Sequence, residues 1–157
     1  MLLKEICDVF SGYAFKSFND DKDGKPVIII GNIKVDGTID LSNCQYSVEK
    51  PNSKYESMAG DLYIALSGAT TGKIGYMSSN GFLINQRVGI VRKKDKNVPI
   101  DYLLYFLKSK TNKILNDAVG AAQPNISPKD ISNYSFYYKD TNEMHIRTDT
   151  SVVHIQI

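Results

Sequence analysis

Tryptophan is absent from the 157 residues, and histidine and cysteine occur only twice each. These scarcities narrow the chemistry open to the chain. His145 and His154 both lie in the C-terminal tail, away from any motif, so no Ser-His-Asp or Cys-His arrangement is marked out. Cys7 and Cys44 have no CxxC spacing and follow no secretory signal, which reads as reduced thiols in a cytoplasmic protein. The one acidic cluster, "NDDKD" with Asp20, Asp21 and Asp23, lacks the calcium-loop spacing and its closing glutamate. It reads as a solvated loop, and no metal site is expected. No apolar run approaches the roughly 20 residues needed to cross a bilayer. Excess charge is also missing. A net charge of +2 permits nucleic-acid binding without arguing for it, because a strong electrostatic footprint is larger and clustered.

What is present is enough apolar sequence, 42%, to bury a core in one domain. Ten Tyr and six Phe suit both cores and wet interfaces. The first two thirds read as short strands broken by turns. "LLKEICDVFSGYAF" fits a short helix or a strand, with strand preferred, and "PVIIIGNI" is a β-branched buried strand. "DLYIALS", "KIGYM" and "GFLINQRVGIVRKK" continue the pattern, with turn dipeptides at Asp36-Gly37 and Asn80-Gly81. "KSFNDDKDGK" and "EKPNSKYESMAG" read as polar loops. From Pro99 the period changes. Ile100, Leu103, Leu104, Leu107, Ile114, Leu115 and Ala118 share one helical face, and Gly120 fits the stop. "SPKDIS" carries Ser127 as an N-cap, Pro128 and Asp130 at the start of a second, short helix. "NYSFYY" reads as a last strand. The expected class is α/β in the α+β sense: a strongly curved mixed or antiparallel sheet with one long and one or two short helices.

The loop "SGATTGKIGY" invites a nucleotide reading and fails it. In GxxxxGK[ST], glycine stands five residues before the second glycine, a position held here by Ser67. Ile74 follows Lys73 where a magnesium-binding hydroxyl is needed, and a strand rather than a helix is expected next. Two readings remain: a plain hairpin with polar tip residues, or a loop whose Ser67, Thr70, Thr71 and Lys73 meet phosphate oxygens, including those of DNA. Asn85, Gln86 and Arg87 carry base-reading side-chain types, or are ordinary polar residues at a strand end. Arg92, Lys93 and Lys94 read as a solvated turn with some capacity for phosphates. Gln123 and Asn125 precede the short helix and suit capping, turning or base contact.

Six segments in register over residues 3–136 resemble one target recognition domain of a type I restriction-modification specificity subunit. They are "LKEICDVFSGYAFKS", "VIIIGNIKVDGTI", "GDLYIALSGATTGKIGY", "INQRVGIVR", "YLLYFLKS" and "GAAQPNISPKDI". The resemblance implies a curved-sheet domain that docks on double-stranded DNA and reads one half of a bipartite site. It implies a non-catalytic subunit with no cofactor of its own. S-adenosylmethionine, ATP and magnesium belong to the partner methyltransferase (modification) and restriction subunits, which methylate adenine at N6 or cleave. The DNA-binding residues expected on this basis are Lys16, Ser67, Thr70, Thr71, Lys73, Asn85, Gln86, Arg87, Gln123 and Asn125, with variable specificity loops at residues 16–25 and 48–58. Two departures stand out. The chain is too short for a second recognition domain, and the usual proline-rich segment and long helix are replaced by residues 139–157, an atypical tail after a domain at 1–138. This tail resembles an out-of-frame or recombined ending. It leaves open a second copy as partner, and, as the alternative function, a truncated interaction fragment or cassette product without independent DNA binding.

Overall fold

A computed structural model of the chain describes residues 1–19, 22–117, 125–137, 143–148 and 151–156. Asp20, Asp21, Ala118, Gly120 and Gln123 lie outside the described residues. The chain opens with a one-turn helix, α1 (Leu3–Ile6), continued by strand β1 (Cys7–Ser11), so both readings of the first segment hold in succession. Then follow β2 (Lys25–Ile28), β3 (Gln45–Ser47), β4 (Leu62–Ala65), β5 (Ile74–Tyr76), β6 (Leu83–Ile84) and β7 (Val88–Lys93). Helix α2 (Ile100–Asp117), the short α3 (Pro128–Ser132) and a hairpin of β8 (Glu143–Thr148) with β9 (Ser151–Gln156) complete the order.

Strands β1 to β7 form two packed sheets, within the mixed α+β class that the sequence implies. One is antiparallel, β1-β7-β4-β5, and the other is β3-β2-β6, with β2 and β6 parallel. Strand β4 explains why two layers are needed. All four of its residues are buried, and they alternate between cores. Leu62 and Ile64 pack with Leu103, Phe106 and Leu107 of α2. Tyr63 and Ala65 face the other way, against Ile28 and Ile84 of the second sheet and Ile33 in the segment after β2. A strand covered on both faces must be apolar throughout, and each aliphatic side chain buried there contributes roughly 1.5–3 kcal/mol.

The α2 face is wider than the expected stripe, because Tyr102 and Phe106 are buried too. Both meet Phe136 edge-to-face, with ring centroids 5.4 and 4.9 Å apart. That contact corrects the reading of "NYSFYY" as a strand: its only ladder contact among the described residues is a bridge from Ser135 to Leu2. The alternation of a buried Phe136 and an exposed Tyr137 comes from docking on a helix, not from a sheet. At α3 the sequence signals are realised as a capping box. Ser127 Oγ accepts from the Asp130 N–H at 3.1 Å, and the Asp130 carboxylate accepts from the Ser127 N–H at 3.2 Å.

Candidate nucleic-acid interface

The residues that carry exposed polar side chains meet where the two sheets join. Between β6 and β7 the chain turns through Asn85, Gln86 and Arg87, and hydrogen bonds to three distant segments fix that turn. The Asn85 N–H donates to Ile28 O at 3.0 Å and the Gln86 N–H to Tyr13 O at 2.9 Å. Arg87 O accepts from the Leu66 N–H at 3.0 Å, and Leu66 O in turn accepts from the Ile126 N–H at 2.9 Å. Asn85 also closes the turn with its side chain, Oδ1 accepting from the Arg87 N–H at 3.1 Å. Gly12 crosses so tightly that a Cβ there would lie 2.2 Å from Ile84 O and 2.3 Å from Asn85 O.

This junction brings Ser67, Asn85, Gln86, Arg87 and Asn125 together, with Gln86, Arg87 and Asn125 exposed. It does not display the two threonines. Thr71 is 7% exposed and its Oγ1 donates to Gly68 O at 2.6 Å. Thr70 Oγ1 is buried without a hydrogen-bond partner among the described residues. Residues 66–73 close a hairpin between β4 and β5, in which Ala65 N–H donates to Lys73 O and Gly72 N–H to Ala65 O. The strand after Lys73 removes the helix that a nucleotide phosphate loop would open. Lys73 is half-exposed with no ion-pair partner among the described residues. Lys16 is exposed on the segment after Tyr13, where Glu49 Oε1 accepts from its backbone N–H at 2.8 Å.

Arg92, Lys93 and Lys94 do not form a solvated turn, because β7 runs on through Arg92 and Lys93 and all three side chains are engaged. Arg92 donates Nε to Asp61 Oδ1 at 2.9 Å and Nη2 to Asp61 Oδ2 at 2.7 Å. It also reaches Lys54 O and Glu56 O. Asp61 raises the already high Arg92 pKa further. Lys93 Nζ donates to Val98 O and Lys94 Nζ to Lys4 O. Behind this knot, burial keeps Tyr63 protonated well above the ordinary phenol range and pushes the Cys7 thiol up to about 12.

A file of aromatic rings runs outward from the junction and was not legible as a site in the sequence. Tyr13 meets Phe15 edge-to-face at 5.0 Å and Tyr55 at a tilt at 5.6 Å, and Phe15 lies 5.8 Å from Phe18. Lys54 Nζ sits 4.8 Å over the Tyr55 ring. The adjacent aromatics of "GYAFKSF" were its one local signal; Tyr55 joins only through the fold.

The sequence matches the pattern of the type I restriction modification DNA specificity domain over residues 1–142. A search of curated proteins gave no match. Several solved structures share the fold, three of them as follows. One, described as the structural basis of complex assembly and conformational transition of the type I R-M system, has a TM-score of 0.65 at 19% identity, covering 85% of this chain and 32% of its own. The HsdS subunit from Thermoanaerobacter tengcongensis gives 0.64 at 20%, covering 85% and 31%. The type I restriction-modification S subunit from M. genitalium gives 0.58 at 18%, covering 85% and 32%. The chain thus spans about a third of the length of these structures. Among the described residues no helix is long and apolar enough to cross a membrane. With its pattern matched over most of the chain, this protein belongs to the type I restriction modification DNA specificity domain family.

Proposed function

We propose that the chain is a sequence-specific DNA-binding module, the specificity component of a type I restriction-modification system, reading one half of a bipartite site. Partner modification and restriction subunits carry the chemistry, adenine N6 methylation or cleavage, with their own S-adenosylmethionine, ATP and magnesium. Residues 1–138 act as the recognition domain and the tail lies outside it. The observation that carries this reading is the convergence of Asn85, Gln86, Arg87, Ser67 and Asn125 on one tethered junction. Amides and a guanidinium there suit base edges, while hydroxyls and backbone N–H groups suit phosphates.

Selection from a randomised duplex pool tests it. The reading expects the enriched duplexes to share one short continuous sequence block. A pool that is retained without enrichment, or not retained at all, overturns it. Co-purification with a methyltransferase subunit without DNA binding would instead support an interaction fragment.

A further inference from the structure

The two arginines whose side chains are described are used in opposite ways. Arg92 is consumed by Asp61 and two carbonyls. Arg87 is exposed, and only its Nε is engaged among the described residues, donating to Ser67 Oγ at 2.9 Å. Its main chain is held at both ends, by the Asn85 side chain and the Leu66 N–H. Its guanidinium also lies against Gly68. A Cβ at Gly68 would come within 2.8 Å of Nη2, and φ there is +83°, a conformation that glycine adopts without cost. A serine on Nε and a bare backbone under Nη2 fix the plane of the guanidinium. Among the described residues, no hydrogen bond engages the end that carries both Nη atoms.

We propose that Ser67 positions Arg87 as a forked donor whose two Nη atoms grip a matched pair of acceptors on duplex DNA. That pair is either the O6 and N7 edge of a guanine or two oxygens of one phosphate. The inference rests on the DNA-binding reading and deepens it. With Nε already engaged, only the end-on bidentate geometry remains. Lysine, a point charge, cannot replace it. Ser67 is a positioning residue: it lowers the ordering cost of the fork rather than touching DNA.

The test uses the full chain with a duplex selected by the wild type, and variants Arg87→Lys, Arg87→Gln, Ser67→Ala and the double variant Ser67→Ala with Arg87→Gln. Arg87→Lys should weaken binding by about 5- to 150-fold, the range of one bidentate pair. Ser67→Ala should weaken wild-type binding by about 3- to 10-fold, yet change Arg87→Gln by less than about twofold. Thermal melting of each variant reports folding separately. Placing 7-deazaguanine at single positions, or methylphosphonate at single linkages, names the acceptor. One substitution should markedly shrink the difference between wild type and Arg87→Gln, because it removes one acceptor of the pair, and if it is a methylphosphonate, Arg87→Gln should also lower the salt slope by about 0.9. Arg87→Lys binding as well as the wild type, or Ser67→Ala weakening both backgrounds equally, overturns the proposal while specific binding by the wild type stands. A wild type that binds no DNA overturns the parent reading and this one together.

Discussion

Replacing Asp61 by alanine should destabilise the protein by about 3 kcal/mol. The Arg92 side chain is 18% exposed and that of Asp61 is 2% exposed, so the pair sits largely out of water. Two of the four hydrogen bonds of the guanidinium go to Asp61, and the rest go to Lys54 O and Glu56 O. Asp61 Oδ2 also accepts from the Met58 N–H at 3.0 Å. Removing the carboxylate therefore strands a mostly buried cation, one backbone donor and the buried Tyr63 hydroxyl, which donates to Asp61 Oδ2 at 3.4 Å. Breaking a buried pair from one side costs roughly 3–5 kcal/mol, and the residual exposure of Arg92 places the value at the low end. For a domain of this size that is a fall of about 6–12 °C in Tm. Asp61→Asn keeps the shape and one acceptor and should cost less. The double variant Asp61→Ala with Arg92→Met should lose less than the sum of the singles, since neither partner is then left unpaired. Thermal unfolding followed by circular dichroism, with urea titration as a check, reads all of these. Hydrogen exchange should also rise in residues 52–60, which Arg92 ties down. A fall in Tm under about 2 °C, or strict additivity in the double variant, would show an ordinary solvated ion pair and refute the reasoning.

Other perturbations follow from the same contacts. Gly12→Ala drives a methyl group into the Ile84 and Asn85 carbonyls, so a loss on the order of 3 kcal/mol is expected in urea unfolding; an unchanged midpoint contradicts the tight crossing. Burial raises the Cys7 thiol from 9.0 to about 12 and the Tyr134 phenol from 10.0 to about 12. The folded chain keeps these protons while the unfolded chain loses them, so stability declines from about pH 9 through Cys7, by at most about 1.4 kcal/mol per pH unit, and from about pH 10 through Tyr134, by less because solvent screens that half-buried phenol. Cys7→Ala should flatten that alkaline decline by one group's share; parallel curves would show that Cys7 is not the titrating site. Lys73→Ala should weaken selected and scrambled duplexes alike, measured by fluorescence anisotropy. A loss confined to one base sequence would make Lys73 a reader rather than a holder.

Local chemistry was legible wherever the cause was local. The 3.6-residue period gave α2, Ser127 and Asp130 gave the α3 cap, and Asp36-Gly37 gave a turn in which Lys34 N–H donates to Thr38 O. The alternating, β-rich run around Tyr63 announced a strand, although not that α2 would cover one of its faces and the second sheet the other. What stayed hidden depends on partners distant in sequence. Arg92 looks like the first of three solvated cations until Asp61, 31 residues earlier, is seen beside it. The same holds for Thr71, whose hydroxyl reads as a phosphate donor in sequence and turns inward to the Gly68 carbonyl in the fold. Phe136 sits in an alternating aromatic run that mimics a strand, because a segment lying on a helix also hides every second residue. At the candidate interface, the grouping of Asn85, Gln86 and Arg87 was visible, since they are consecutive. That Ser67 would aim Arg87 was not, because the contact forms only once β4 and β7 pair.

The most direct test of the central claim is the ratio of two dissociation constants at 0.15 M salt, one for the selected duplex and one for its scrambled counterpart. A recognition domain should hold the selected sequence at least about 10³-fold more tightly. Both values should weaken steeply with added salt, as phosphate contacts require. Equal constants for the two duplexes would contradict sequence recognition by this chain.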